Sequence, residues 1–168
     1  LLGFGFWHGK GGEIQPRVST RADARRKEKG KRLTGRSWPV SMEERLLKLS
    51  QVTRGWVNYF YRANARTHLL ELDKWMQARL RMCIWKQWKW VRTRIKNLQK
   101  LGASQQKAYE WGNTRKGYWR TAHSPILQST ITIERLKQKG YVSLMDTYTL
   151  RRKTLMNRRD TRTVRPVV

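Results

Sequence analysis

The longest stretch of this chain without an acidic residue lies between Asp73 and Glu110. Its ten basic residues give it a strong positive charge, so its exposed face should attract an anion. Any fold of this chain has to keep most of these charges in water, because an unpaired charge is costly to bury. The basic residues are Lys74, Arg79, Arg81, Lys86, Lys89, Arg92, Arg94, Lys96, Lys100 and Lys107.

Within this stretch, apolar residues recur every three or four positions from Leu80 to Leu98. This spacing predicts one amphipathic helix over residues 79–100, with the apolar stripe packed inward. One position along runs a second row, which is basic and carries one large aromatic residue. We expect this row to meet the ligand; it consists of Arg81, Trp85, Lys89, Arg92 and Lys96.

The charge of the whole chain points to the same class of partner. The 38 Lys and Arg against 11 Asp and Glu give a net charge of +27, well beyond the ~2–8 units usual for a small soluble domain. Nucleic acid, with one charge per ~1.7 Å of duplex, is the densest polyanion available. An anionic membrane is the alternative, but the sequence has no apolar run of ~18 residues and no signal peptide. We therefore expect an intracellular protein that binds nucleic acid.

Residue types that support catalysis or metal binding are sparse. Cys83 is the only cysteine, which excludes a disulfide within the chain, and His8, His68 and His123 are far apart in sequence. No spacing typical of a metal site occurs, and no Ser/His/Asp or Cys/His arrangement is present. The sequence therefore predicts neither a metal site nor a catalytic site in this chain.

The first third of the chain predicts a hairpin followed by a basic helix. Residues 1–18 alternate loosely around a Gly-rich turn, which favours two antiparallel strands. Thr20 can cap a predicted helix that runs to about residue 33 and has few apolar positions. Its cations are either a solvated charge run or a surface that contacts phosphates. They are Arg21, Arg25, Arg26, Lys27, Lys29, Lys31 and Arg32.

A capping box at residues 41–44 predicts the start of a second helix, with the Ser41 hydroxyl bonded to the Glu44 amide and the Glu44 carboxylate reaching back. Its apolar stripe continues to about residue 63. We interpret the aromatic residues Trp56, Tyr59 and Phe60 as core residues and not as stacking platforms. A third helix from about residue 67 leads into the basic stretch, which predicts a three-helix bundle.

After the basic helix, Gly102 predicts a helix end and Ser104 caps the next helix, which gives the outline of a helix-turn-helix. Residues 113–120 then mix cations and aromatic residues around Gly117. Such a cluster can bind phosphates and stack on a base; the alternative is a loop whose Tyr118 and Trp119 plug the core. Its candidate binding residues are Arg115, Lys116, Tyr118 and Arg120. Residues 151–168 are basic without periodicity, which predicts a disordered tail.

Several of these segments, taken together and in order, resemble the C-terminal part of bacterial group II intron reverse transcriptase/maturases. The resemblance covers residues 1–150 and is strongest in two motifs near the middle and the end of that range. The segments are LLGF at residues 1–4, residues 41–60 with RGWVNYF at 54–60, residues 81–94, LG at 101–102 and RKGYWR at 115–120.

The resemblance implies a mainly α fold with a β-hairpin at the N-terminus. Residues 1–19 would be a remnant of the reverse-transcriptase palm, residues 20–79 a three-helix thumb or maturase domain, and residues 80–150 a small helical DNA-binding domain. The family's fingers and catalytic palm are missing from this sequence. Residues 151–168 match nothing in the family.

The resemblance also implies function and partners. The chain would bind intron RNA for splicing, and a template-primer duplex or target DNA for retrohoming, in association with a palm and within a bacterial ribonucleoprotein or nucleoid in the cytoplasm. The family holds Mg²⁺ on a Tyr-X-Asp-Asp motif that this chain lacks, so we expect no cofactor and no polymerase activity from the chain alone. The alternative is a free-standing basic DNA-binding protein with a helix-turn-helix outline.

Overall fold

A computed structural model describes residues 3–9 and 11–163, with side chains to residue 157. An N-terminal hairpin precedes a mainly helical chain, as predicted. Strand β1 (Phe4–His8) pairs with β2 (Ile14–Val18) in antiparallel register. Residues 1, 2 and 10 of the predicted hairpin, and residues 164–168 of the predicted tail, lie outside the described residues.

Helices make up most of the remainder of the described chain. The first three helices correspond to the predicted bundle; five short helices and a last helix of 20 residues follow in the described residues. They are α1 (Thr20–Leu33), α2 (Met42–Phe60), α3 (Arg66–Gln87), α4 (Val91–Lys100), α5 (Gln105–Gly112), α6 (Tyr118–Ala122), α7 (Pro125–Thr130), α8 (Ile133–Gln138) and α9 (Leu144–Thr163).

The start of α2 shows how local signals set helix boundaries here. The Ser41 hydroxyl accepts a hydrogen bond from the Glu44 amide at 3.1 Å, as the capping box predicted. The Glu44 carboxylate does not reach back, because it pairs with Lys48 at 2.7 Å one turn further along the helix. An i, i+4 pair of this kind stabilises a helix modestly.

Arginine side chains from α2 and α3 hold the loop that joins α1 to α2. Buried Arg45 donates to three backbone carbonyls between residues 33 and 38, at 2.7–3.0 Å. Arg79 donates to the Thr34 hydroxyl at 2.6 Å and to two carbonyls at the end of α1. These cations satisfy carbonyls that the helix leaves unpaired and complement its dipole.

The single helix predicted over residues 79–100 is two helices, so that prediction was wrong. Residues 88–90 interrupt the helix between α3 and α4. The carbonyl of Trp88 accepts a hydrogen bond from Arg94 at 2.9 Å. The break lets Trp85 and Leu98 enter the same core. Local periodicity could not show this change of direction, because the apolar spacing continues across it.

A tight turn joins α4 to α5, as the helix-turn-helix outline predicted. Gly102 has a φ of +95°, in the left-handed region that favours glycine. The Ser104 hydroxyl then accepts from the Lys107 amide at the start of α5. The two helices pack against each other.

One buried carboxylate ties the end of the fold to α3. Asp73 accepts hydrogen bonds from the hydroxyls of Tyr141 and Ser143 at 2.7 Å and from the amides of Leu144 and Met145 at 2.9 Å. The carboxylate therefore caps the N-terminus of α9, where a negative charge is favoured. Burial and the neighbouring Asp73 charge both raise the pKa of Tyr141 above its usual value.

Helix α9 corrects the prediction of a disordered tail from residue 151, because the structure continues this helix to Thr163. The helix begins at its Asp73 cap and packs on α2 and α3 through Leu144 and Tyr148. The Tyr148 hydroxyl donates to the carbonyl of Ala63 at 2.8 Å. Tertiary contacts that lie before residue 151 thus start a helix that the tail sequence does not predict.

The two predicted helical domains share their packing in this structure. The expected boundary between residues 79 and 80 falls inside α3. One core also joins Leu46 of α2 and Leu80 of α3 to Leu127 of α7 and Leu136 of α8. The surfaces that present charge are therefore fixed relative to one another by a common interior.

Candidate nucleic-acid interface

The outer flank of α1 carries a row of exposed cations. Arg21, Arg25, Lys29 and Arg32 are all exposed and follow one another at steps of four, four and three residues. On an α-helix this spacing places them along one face, with ~6 Å of rise between residues four apart. We call these four residues the cation row; three of them were predicted binding residues.

The opposite flank of α1 neutralises its own charge within the chain. Asp23 pairs with Lys27 at 3.1 Å and with His68 of α3 at 2.6 Å. This pairing places the acidic residue of the first turn away from the cation row, toward α3. The field of the cation row is therefore not cancelled by this carboxylate.

The cation row borders an open groove of about 1030 Å³ between α1 and α2. One wall is cationic and comes from α1, and the other comes from α2 and β1. We call this the α1–α2 groove. Its lining consists of Gly3, Phe4, Ser19, Arg21, Ala22, Arg25, Arg26, Lys29, Gln51, Val52, Gly55, Trp56, Tyr59 and Phe60.

Aromatic rings form the second wall of the α1–α2 groove. Phe60 contacts Trp56, Tyr59 and Phe4, with ring centroids 4.6, 4.7 and 5.0 Å apart. Phe60 is buried and Trp56 is half-buried, as expected of core residues. Tyr59 is 51% exposed, so our interpretation of this residue as core was wrong. The sequence did not separate these rings because all of them belong to one motif on one helix.

Three predicted binding residues are buried and cannot form an outer surface. Arg81 is 8% exposed and donates to the carbonyl of Ile131 at 2.9 Å, and Trp85 is 1% exposed in the core. Arg26 is 4% exposed beneath the α1–α2 groove. Arg81 and Trp85, the first two members of the predicted basic row, are buried because α3 packs against the later helices.

Arg26 retains an incompletely satisfied charge below the groove. Its Nη2 donates to the Thr53 hydroxyl at 3.2 Å, whereas Nε and Nη1 have no hydrogen-bond partner within the described part of the chain. Burial lowers the pKa of this guanidinium from its usual value, and nearby Tyr141 and Asp73 partly oppose that shift. The floor of the groove is therefore positive as well as its α1 wall.

A second basic surface forms around Tyr118 and joins segments far apart in the sequence. The guanidinium of Arg36 lies 5.0 Å from the centre of the Tyr118 ring, and Lys86 Nζ lies 5.3 Å from it. Lys116 lies over Trp111 at 4.8 Å. We call Arg36, Lys86, Lys116 and Tyr118 the Tyr118 patch. Cations on aromatic faces are held in place while their charge remains available.

Arg36 was missed by the sequence analysis, although a signal was present. It follows Arg32 by four residues and so continues the spacing of the cation row past the end of α1. We did not extend the pattern because the predicted helix had ended. The loop that Arg45 holds places Arg36 beside Tyr118.

The remaining predicted residues are exposed on separate elements. Lys89 lies at the break before α4 beside Trp90, which is 70% exposed. Trp119 is exposed on α6 and contacts His123, so it does not plug the core. The other predicted binding residues with exposed side chains are Arg92 and Lys96 on α4, Arg115 before α6 and Arg120 on α6.

Among the described residues, no three His, Cys, Asp or Glu side chains are grouped so as to hold a metal ion. The Mg²⁺ that the resemblance implies for a palm therefore does not fit the donors of this part of the chain, and no chemical step is assigned to it. Within the same residues, no helix has the length and hydropathy needed to cross a bilayer.

The comparison with protein families places this geometry in context. Residues 24–102 match the family model of the group II intron, maturase-specific domain, a range that includes most of α1 and all of α2, α3 and α4. A search of curated proteins found no match. The matched range includes the RGWVNYF motif at residues 54–60, which also carries the resemblance described above.

Proposed function

We propose that this chain binds intron RNA as part of a group II intron maturase and thereby assists splicing. The observation that carries the proposal is the cation row along the open α1–α2 groove. Three of the four residues of this row, Arg25, Lys29 and Arg32, lie within the matched residues 24–102. A maturase acts on a folded polyanion, and exposed cations that line one groove can neutralise successive phosphates.

Binding is tested on the full chain with a folded group II intron transcript between 50 and 200 mM salt. Replacing Arg21, Arg25 and Lys29 together by Gln removes three phosphate contacts. The slope of log affinity against log salt should flatten by about 2–3, because each contact releases ~0.7–0.9 counterion. Circular dichroism should be unchanged, since the three side chains are exposed.

The matched control replaces Arg66, Lys74 and Lys153 by Gln, which removes the same charge from exposed positions away from the groove. This control should flatten the slope by less than one unit. Equal slopes for the two triple variants would show that only net charge matters and would reject the groove as the RNA site.

A second candidate function is binding of duplex DNA, as in retrohoming, by the helix-turn-helix of α4 and α5. It is favoured by the tight turn at Gly102 and by exposed Arg92 and Lys96 on α4. Replacing Arg92 and Lys96 by Gln should weaken duplex DNA binding more than intron RNA binding. The reverse order would assign α4 to the RNA.

We also propose that the hairpin packs against a reverse-transcriptase palm. The two-stranded sheet packs on α2 through Phe4, but it leaves Phe6, Trp7 and Ile14 exposed. A palm would cover these apolar side chains and stabilise a sheet that is small. Polymerase activity is expected only when a palm supplies the carboxylates. Incorporation of nucleotides by the chain alone would contradict this assignment.

A further inference from the structure

We infer that the α1–α2 groove takes an unpaired RNA segment, with a base stacked on Tyr59 and the strand passing over Gly55. The inference rests on the proposed RNA-binding function and specifies which form of RNA the groove accepts. Duplex RNA displays phosphates and sugar edges, while unpaired segments can also offer the faces of their bases. The groove combines a cationic wall with an aromatic wall, the pairing typical of sites for single strands.

Tyr59 is positioned as a stacking platform. Its ring is held from within by Phe60, with centroids 4.7 Å apart, and by Phe4 at 5.5 Å. About half of its surface is nevertheless exposed. A ring that packs on its neighbours and still exposes about half of its surface can stack on a base with little loss of side-chain entropy.

Gly55 lies one turn before Tyr59 on the same face of α2 and also lines the groove. Apart from its two chain neighbours and the backbone of the adjacent turns of α2, a Cβ at this position would meet no atom of the described chain within 4 Å. A glycine in the middle of a helix weakens it relative to alanine. No contact within the described residues requires a glycine at this position. The close approach of a ligand strand would require one.

Charge complementarity identifies the occupant as a polyanion. Arg21, Arg25 and Lys29 follow the groove at ~6 Å steps, and Arg26 lies beneath it with two unpaired nitrogen atoms. A nucleic-acid strand supplies both a regular series of phosphates for α1 and a flat apolar face for Tyr59. An acidic peptide supplies only the charge.

The test compares a labelled oligouridylate of ~10 nucleotides, within the usual site sizes, with an RNA duplex that has the same number of phosphates. Tyr59→Leu keeps an apolar side chain but removes the ring, and should weaken binding of the single strand by about 5- to 150-fold, the worth of one stacked base. Duplex affinity should change less than twofold. Tyr59→Phe keeps the ring and should retain most of the single-strand affinity.

Gly55→Ala provides a second variant that cannot fail by misfolding. It should raise the midpoint of thermal unfolding by ~1–4 °C, because alanine favours the helix. It should nevertheless weaken binding of the oligouridylate, since the added methyl group occupies the path of the strand. Tighter or unchanged binding of the single strand by this variant would overturn the inference.

Tyr109→Leu is the matched control, because Tyr109 is 66% exposed on α5, outside the groove. It should leave the affinity for the single strand unchanged. Equal losses for Tyr59→Leu and Tyr109→Leu, or equal losses of Tyr59→Leu on duplex and single strand, would reject the stacking site. Competition by polyglutamate as strong as by oligouridylate would reject RNA as the occupant.

The two proposals fail in different ways. If the triple Gln variant of the cation row weakens intron RNA binding but Tyr59→Leu spares the oligouridylate, the proposed function stands and this inference falls. If neither variant changes RNA binding, both proposals fall.

Discussion

The interior of the protein and the outer flank of α1 use cationic residues in opposite ways. Inside, Arg26 and Arg45 are buried and donate to a hydroxyl or to backbone carbonyls of their own chain. Outside, Arg21, Arg25 and Lys29 are exposed along a groove. The net charge of the sequence therefore overstates what is available to a ligand, because part of it stabilises the fold.

The chemistry of the side chains explains this division. Among the described residues that are buried, the cations are arginines: Arg26, Arg45 and Arg81. A guanidinium has five donors in a planar fork and can satisfy several carbonyls at once, whereas a lysine ammonium is compact and strongly hydrated. Lysines therefore remain at the surface, and arginine content alone is a poor guide to binding residues.

The largest expected effect is at Asp73, the acidic member of the interior. Asp73→Ala leaves two hydroxyls and two amides of the α9 cap without their acceptor. We expect a loss of about 3–5 kcal/mol in the free energy of unfolding, measured by urea denaturation. Asp146→Ala is the control, because its exposed pair with Lys137 should be worth less than ~1 kcal/mol. Similar losses for both variants would show that the cap does not stabilise the fold.

The next effect sharpens the contrast between buried and exposed arginines. Arg45→Lys keeps the charge but cannot reach all three carbonyls of the loop after α1, and should cost about 1–3 kcal/mol. Arg25→Lys makes the same change on the outer flank and should leave stability within ~0.5 kcal/mol.

Cys83 reports on the same loop by thiol alkylation. It is buried, its thiol donates to the carbonyl of Thr34 at 3.2 Å, and burial raises its pKa, so the folded protein should react slowly. Arg45→Lys should accelerate labelling by about tenfold per 1.4 kcal/mol lost. Equal labelling rates in Arg45→Lys and Arg25→Lys would contradict the distinction between the two regions.

The smallest effect tests whether the outer surface continues from the cation row to the Tyr118 patch. Arg36→Gln and Lys86→Gln should each lower affinity for intron RNA by about fivefold near 150 mM salt, the worth of one phosphate contact. Stability should stay within ~0.5 kcal/mol. Lys139→Gln, at another exposed position, is the control. Affinity that is unchanged in both patch variants would limit the RNA surface to the α1–α2 groove.

Much of the fold could be predicted because its signals are local. Ser41 starts α2, and Gly102 with Ser104 separates α4 from α5. For α1 the prediction was wrong by one residue, because Ser19 and not Thr20 caps the helix. Each signal acts through atoms within a few residues of the helix end, so a single sequence contains it. The positive charge and the motif at residues 54–60 were equally visible.

The candidate site could be predicted only in part, because exposure depends on contacts distant in sequence. Arg81 was assigned to the ligand, but Ile131 of a later segment receives its hydrogen bond. Tyr59 was assigned to the core, but it lies beside the open groove that α1 and β1 complete. Arg36 was not considered until the fold placed it against Tyr118.

The sequence by itself determined that this chain is helical, strongly basic and suited to a polyanion, because composition and helix signals are properties of the chain alone. Tertiary structure decided which cations meet that polyanion. The break between α3 and α4 and the Asp73 cap of α9 bring distant segments into one core. Whether a guanidinium finds a carbonyl or water depends on those segments, and the residues next to it in sequence do not supply that information.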